Sequence, residues 1–193
     1  LAQSETMNIV LDALRQDMVM ATLIAVVITW LAHSSLATVL LLVSLVSSGV
    51  VPQDLGLALV LGANIGGGIA PVVATWNDGP AAYRVPVANI VMRTAGVAVC
   101  LLFLPEIYKL LQHYMPEAGA RLPVHFHLAF NIGLAAVFLP FSGLIGRCVT
   151  YIFPVHNQGG QPGDPIYLDE KQLNSPTTAM ASASRETLRM ADH

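Results

Sequence analysis

MVMATLIAVVITWLAHSSLATVLLLVSLV, residues 18–46, is the stretch on which the fold turns. Its first limb, Met18 to Ala32, is apolar but too short for a helix to cross a hydrocarbon core about 30 Å thick, which takes about 20 residues. A polar break follows at His33-Ser34-Ser35, and then a second short apolar limb from Leu36 to Val46. Two short limbs around a polar tip predict a re-entrant helical hairpin. Lipid cannot satisfy the N–H and C=O groups of a chain that leaves a helix at membrane depth. Such a tip has to be buried in protein or line a wet cavity, which makes it a candidate binding site.

The rest of the chain agrees with a membrane setting. Of 193 residues, 54% are hydrophobic and 11% charged, against about a quarter charged in an ordinary soluble domain. Between Met18 and Tyr83 the ionisable acids and bases are His33, Asp54 and Asp78. A net charge of −3 with scattered Lys and Arg gives no basic stripe and excludes a nucleic-acid partner. Cys100 and Cys148 are far apart in apolar surroundings and read as packing residues, not as a disulfide or metal pair. The chain starts at Leu1, and Glu5, Asp12, Arg15 and Asp17 precede the first apolar run where a leader would be basic. No signal peptide is expected, and a helical pattern still running at His193 makes both termini read as cuts through a longer protein.

Working outward, Ser48-Gly49-Val50-Val51-Pro52 reads as a turn. Leu55 to Gly62 opens another apolar helix, which Asn64 and the run Gly66-Gly67-Gly68 are expected to break in mid-membrane before Pro71. After the polar loop Trp76 to Tyr83, Val85 to Leu104 is long enough to span and carries Arg93. Lys109 to Arg121 suits an exterior connection or an interfacial helix. Leu122 to Pro140 is a further span candidate with His125, His127 and Asn131, and Ser142 to Phe153 is a last short apolar piece. Beyond Pro154 the composition changes to HNQGGQPGDP, a Gly/Pro-rich linker. Ser175-Pro176 then places a capping serine before a proline at the first helical position, ahead of the helically spaced Ala179, Met180, Ala183, Thr187 and Met190.

Three groups of residues carry candidate chemistry. At the hairpin tip, the oxygens around His33, Ser34, Ser35 and Thr38 suit a hard cation such as Na+. Their hydroxyl donors, with exposed helix N-terminal N–H groups, suit an oxyanion. The alternative is that these hydroxyls bond back to their own helix. Gly62-Ala63-Asn64-Ile65-Gly66-Gly67-Gly68 lacks the Lys and Ser/Thr of a nucleotide-binding loop. It is left as an unwound, ion-coordinating stretch or as a small-residue packing surface of the Gly62-xxx-Gly66 kind. Arg93 inside a span is a functional candidate because a cation there is costly unless it faces a cavity or a partner. His125 and His127, two apart on a helix, do not share a face, so no resident metal site is expected. With no carboxylate in any span to work with a histidine, no enzyme and no cofactor are expected either.

The tip HSSLAT, then GANIG, then HLAFN leading to LPF, in that order, resemble the sodium/phosphate cotransporter family, whose repeats carry QSSSAT and GANIGT. The resemblance covers roughly Met18 to Phe153. From Tyr167 onward the chain resembles the start of a PhoU-like helical domain. The resemblance implies an all-α membrane protein with two inverted repeats, of which this chain holds one, with its re-entrant hairpin and broken helices. The domains are then an inter-repeat segment (1–17), the transmembrane repeat (18–153), a linker (154–166) and the start of a PhoU-like domain (167–193).

The same resemblance implies that Ser34, Ser35 and Thr38 line a substrate and sodium site with Asn64 and Gly66, and that His127 and Asn131 match the family's HxxFN helix. The family's glutamine falls at His33, its third serine at Leu36 and its threonine at Gly67, while the expected FN is Met92-Arg93. An imidazole can carry a proton near neutral pH, so coupling to protons in place of sodium stays open at His33. Arg93 is either an added phosphate ligand or a salt-bridge partner.

The expected function is sodium-coupled transport of inorganic phosphate, with phosphate, Na+, the lipid bilayer and a missing first repeat or second copy as partners. The expected location is a bacterial inner membrane, spanned several times, with a cytoplasmic tail. The alternative is a transport-deficient membrane anchor that regulates phosphate homeostasis through its PhoU-like tail.

Overall fold

A computed structural model describes residues 5–154, 165, 167–168 and 175–191. All regular structure among them is helical: α1 (Glu5–Gln16), α2 (Met18–Ala32), α3 (Ser35–Ser47), α4 (Gln53–Thr75), α5 (Pro80–Leu102), α6 (Leu104–Tyr114), α7 (Leu122–Phe138), α8 (Ser142–Ile152) and α9 (Pro176–Ala191). Short 3-10 turns at Trp76–Asp78, Pro116–Arg121 and Leu139–Phe141 join neighbours. The chain divides into two compact units at Pro154/Val155.

In the first unit α4 is the axis. Leu55, Leu57, Val60 and Leu61 are fully buried, because different faces of this one helix meet α2, α3, α5 and α7. Close approaches fix the register. A Cβ on Gly62 would meet the Thr22 carbonyl oxygen at 2.2 Å, and one on Gly66 the Val26 carbonyl oxygen at 2.5 Å. The α2 and α4 backbones therefore touch and run in the same direction. On a second face Gly67 lies against Ser35 and Gly56 against Val46, so α3 runs back along α4. The chain thus reverses at His33-Ser34, as the hairpin prediction requires.

Local chemistry accounts for the reversal. His33 ends α2 in the left-handed conformation (φ 52°), and the Ser34 hydroxyl caps α3 by accepting from the Ala37 N–H at 3.1 Å. Capping by serine satisfies one of the free N–H groups at a helix start.

One expectation is overturned. The helix predicted to break at Asn64–Gly68 is continuous from Gln53 to Thr75. Glycines weaken a helix by exposing backbone and adding entropy, but here the bare faces of Gly62 and Gly66 admit another helix at backbone contact. Small residues drive such packing between membrane helices, and the contact keeps α4 wound. Pro71 is also accommodated within it. The helix holding Arg93 likewise starts earlier than expected, at Pro80, with Pro86 inside.

Among the described residues, three stretches are long and apolar enough to cross a membrane: Gln53–Asp78, Pro80–Leu102 and Pro116–Ile152. Large exposed side chains on the last two, such as Val85, Val91, Ile132 and Leu144, give them the outward apolar faces that lipid requires. α1 meets α2 at 113° and is tied to the start of α4 by Arg15, whose Nη2 lies 2.7 Å from Asp54.

The second unit is described around α9. Its Glu186, 5% exposed, accepts from the Tyr167 N–H at 2.9 Å and from Arg189, while Arg185 lies over the Tyr167 ring at 5.4 Å. The predicted linker at 154–166 falls almost wholly outside the described residues.

Candidate functional site

The α2–α3 hairpin ends part-way along α4. Gly67, which faces Ser35, is 14 residues after Gln53 in a helix that ends at Thr75. At 1.5 Å per residue the tip lies about 21 Å along α4 and about 12 Å short of its end. His33, Trp30 and Gly67 line a cavity of about 470 Å³ there, with Pro71 and Ala74 from the upper part of α4.

The tip hydroxyls divide by role. Ser34 Oγ is used as the α3 cap, and Thr38, 6% exposed, donates to the Ser34 carbonyl at 3.1 Å. Both make the local bonds that Ser and Thr make in membrane helices. Ser35 Oγ has no hydrogen-bond partner among the described residues and points at Gly67, whose absent Cβ would come within 3.2 Å of it. His33 Nδ1 lies 3.0 Å from the Leu31 carbonyl oxygen. Thr29, fully buried beside Gly66, has no partner for its hydroxyl among the described residues.

Three residues before Gly67 along α4, polar side chains from α4, α5 and α7 converge. Asn64 is fully buried, and its Oδ1 accepts from Arg93 Nη1 at 3.1 Å and from Asn131 Nδ2 at 2.9 Å. The Asn64 amide nitrogen donates to the Val60 carbonyl at 2.9 Å. Arg93 Nη1 also reaches the Asn64 carbonyl at 3.3 Å, and Arg93 Nε donates to Asn89 Oδ1 at 3.2 Å. Asn131 donates in addition to the His127 carbonyl at 2.8 Å, and His127 Nδ1 is buried without a partner among the described residues.

The structure thus joins Asn64, Arg93, His127 and Asn131 in one network and sets Ser35 and Gly67 beside it along α4. Gly66 takes another part, as the contact with α2. The salt-bridge alternative for Arg93 is not realised among the described residues, since every acceptor it meets is neutral. Asn89 belongs to no motif, but its place four residues before Arg93, one helical turn back, was a readable signal. Thr29 opens the hydroxyl-rich stretch Thr29–Thr38, but its burial was not readable, because it depends on a glycine 37 positions away in sequence.

A hairpin that stops part-way along a helix long enough to span, next to a buried amide and an arginine inside apolar helices, defines an α-helical membrane protein with a polar cluster among its helices. Residues 1–120 match the Na+/Pi-cotransporter family, and the chain belongs to that family. It is 30% identical over its whole length to an Escherichia coli (strain K12) protein described as "Putative inorganic phosphate export protein YjbB". The Salmonella typhimurium protein of the same description is 28% identical, again over the whole chain. A Bacillus subtilis relative, "Uncharacterized protein YqeW", is 33% identical over 69% of this chain and 43% of its own length. The chain spans about a third (35%) of the length of the first two relatives. No solved structure matches it.

Proposed function

We propose that this chain is one repeat of a sodium-coupled transporter of inorganic phosphate, acting by alternating access and without covalent chemistry. The observation that carries the reading is the hairpin tip held level with Gly67, inside the length of a helix able to span. Irregular backbone at that depth is tolerated where it lines a cavity, and transporter sites sit near mid-membrane, where short or interrupted helices meet. In this reading His33, Ser34, Ser35 and Thr38 supply the tip, with Asn64 and Gly67 on the facing helix, Arg93 and Asn131 hold that helix in place, and His127 anchors Asn131 through its carbonyl. Membership of the Na+/Pi-cotransporter family supports phosphate and Na+ as the transported species and argues for transport over catalysis. The export named for the relatives supports an outward direction. A second, inverted repeat completes the site, and the tail from Tyr167 opens a PhoU-like domain on the cytoplasmic side of a bacterial inner membrane.

The test is flux of radiolabelled phosphate in proteoliposomes holding the full-length protein, with an imposed Na+ gradient and, separately, a pH gradient. Flux driven by Na+ supports the reading. Flux driven by protons alone replaces sodium coupling with proton coupling at His33. Absence of flux under both gradients, with the protein folded and inserted, favours a regulatory anchor.

A further inference from the structure

A second cavity, of about 690 Å³, lies between α5, α7 and α8, and none of the tip residues lines it. Among the described residues its charged lining residues are Arg84 and Arg93, and no Asp or Glu lines it. Nine residues separate the two arginines on α5, about 13 Å along the helix axis. Arg84 stands near the outer end, where Nε donates to the Phe153 carbonyl at 2.9 Å and Tyr83 stacks on Trp76 at 5.4 Å. Arg93 stands deep, level with Asn64.

Donors outnumber acceptors at the deep end. Arg93 commits Nη1 and Nε to Asn64 and Asn89, and its Nη2 has no acceptor among the described residues. The Asn89 amide nitrogen and the Ser142 hydroxyl, both on the cavity wall, are likewise without partners among them. A guanidinium at membrane depth with only neutral acceptors is costly, and such residues mark ion or substrate paths. Its planar fork matches a tetrahedral oxyanion with two parallel hydrogen bonds.

We propose that this cavity binds a phosphate group, held at its deep end by Arg93 Nη2 and the Asn89 amide, with Arg84 drawing the anion in from the outer end. The site is apart from the hairpin tip, and it depends on the transport reading only for the identity of the anion. Its ligand is inorganic phosphate or the phosphate of a membrane lipid, and the chemistry of recognition is the same for both.

The experiment compares wild type, Arg93→Gln and Ala88→Trp forms of the full-length purified protein. Ala88 lines the cavity and makes no side-chain hydrogen bond, so tryptophan there fills the space and leaves the Asn64 network in place. Binding of radiolabelled inorganic phosphate is measured by equilibrium dialysis with all three forms in a Ser35→Ala background, which weakens the tip site, and co-purifying phospholipid is measured by mass spectrometry. The expected result is at least tenfold weaker phosphate binding in both variants. Unchanged phosphate binding with a co-purifying phospholipid lost from both variants also upholds the site and assigns it to lipid. Retention of both ligands by both variants overturns the proposal, and should Arg93→Gln fail to fold, Ala88→Trp alone decides. Wild-type flux judges the transport reading separately, so either can fail without the other.

Discussion

Arg93 and Asn64, 29 residues apart in sequence, meet twice: Arg93 Nη1 donates to the Asn64 side-chain oxygen at 3.1 Å and to its backbone carbonyl at 3.3 Å. The second bond takes a carbonyl already within α4, and the first shares its acceptor with Asn131. One buried amide therefore ties α4, α5 and α7 together at the level of the hairpin tip.

Replacing Asn64 with leucine removes the acceptor shared by Arg93 and Asn131. Leaving a buried donor unpaired costs about 1–3 kcal/mol, more when it is charged. Asn64→Leu is expected to lower the thermal unfolding temperature markedly in a detergent-solubilised melt. Asn64→Asp, which offers Arg93 a carboxylate, is expected to melt above Asn64→Leu. Equal melting of the two variants would show that the Arg93 contact is unimportant.

Ser34 and Ser35 are adjacent but not equivalent. Ser34→Ala removes a helix cap and should cost about 0.5–2 kcal/mol of stability. Ser35 Oγ makes no intramolecular hydrogen bond among the described residues, so Ser35→Ala should shift stability by no more than about 0.5 kcal/mol while lowering phosphate flux. Melting curves and proteoliposome flux on both variants check the division.

Gly67→Thr restores the residue of the GANIGT pattern, yet a Cβ there would sit 3.0 Å from the Ser35 Cβ. The single substitution is expected to reduce flux by displacing Ser35. A double-mutant cycle with Ser35→Ala should show strong coupling, as contacting residues do. Additive effects would contradict the contact.

Gly66→Ala drives a methyl group to 2.5 Å from the Val26 carbonyl oxygen and 2.7 Å from the Thr29 Cβ. Overpacking of this kind costs about 1–3 kcal/mol. A loss of folded, monodisperse protein on size-exclusion is expected for Gly66→Ala but not for alanine at Gly133, where nothing lies within 4 Å of the added atom.

Much of the fold is legible in the sequence. The short apolar limbs around His33-Ser34-Ser35 predict the reversal, because a polar break between two runs leaves a helix little alternative to turning. The long apolar runs predict the spanning helices. The motif order HSSLAT, GANIG, HLAFN points to the family that residues 1–120 match. What the sequence misjudged was Asn64–Gly68. Glycine propensity is a local quantity, and it foretells a broken helix only when nothing packs on the bare face.

The sequence by itself determined the membrane class, the hairpin and the family, since these rest on hydropathy, length and motif order along one strand of text. The tertiary structure alone decided that α4 stays wound, that Arg93 finds amides in place of an acid, and that Thr29 is buried against Gly66. Each of those outcomes depends on a partner a helical turn or a whole helix away. The physical reason is that a side chain's cost in a membrane is set by what faces it, and only packing determines that.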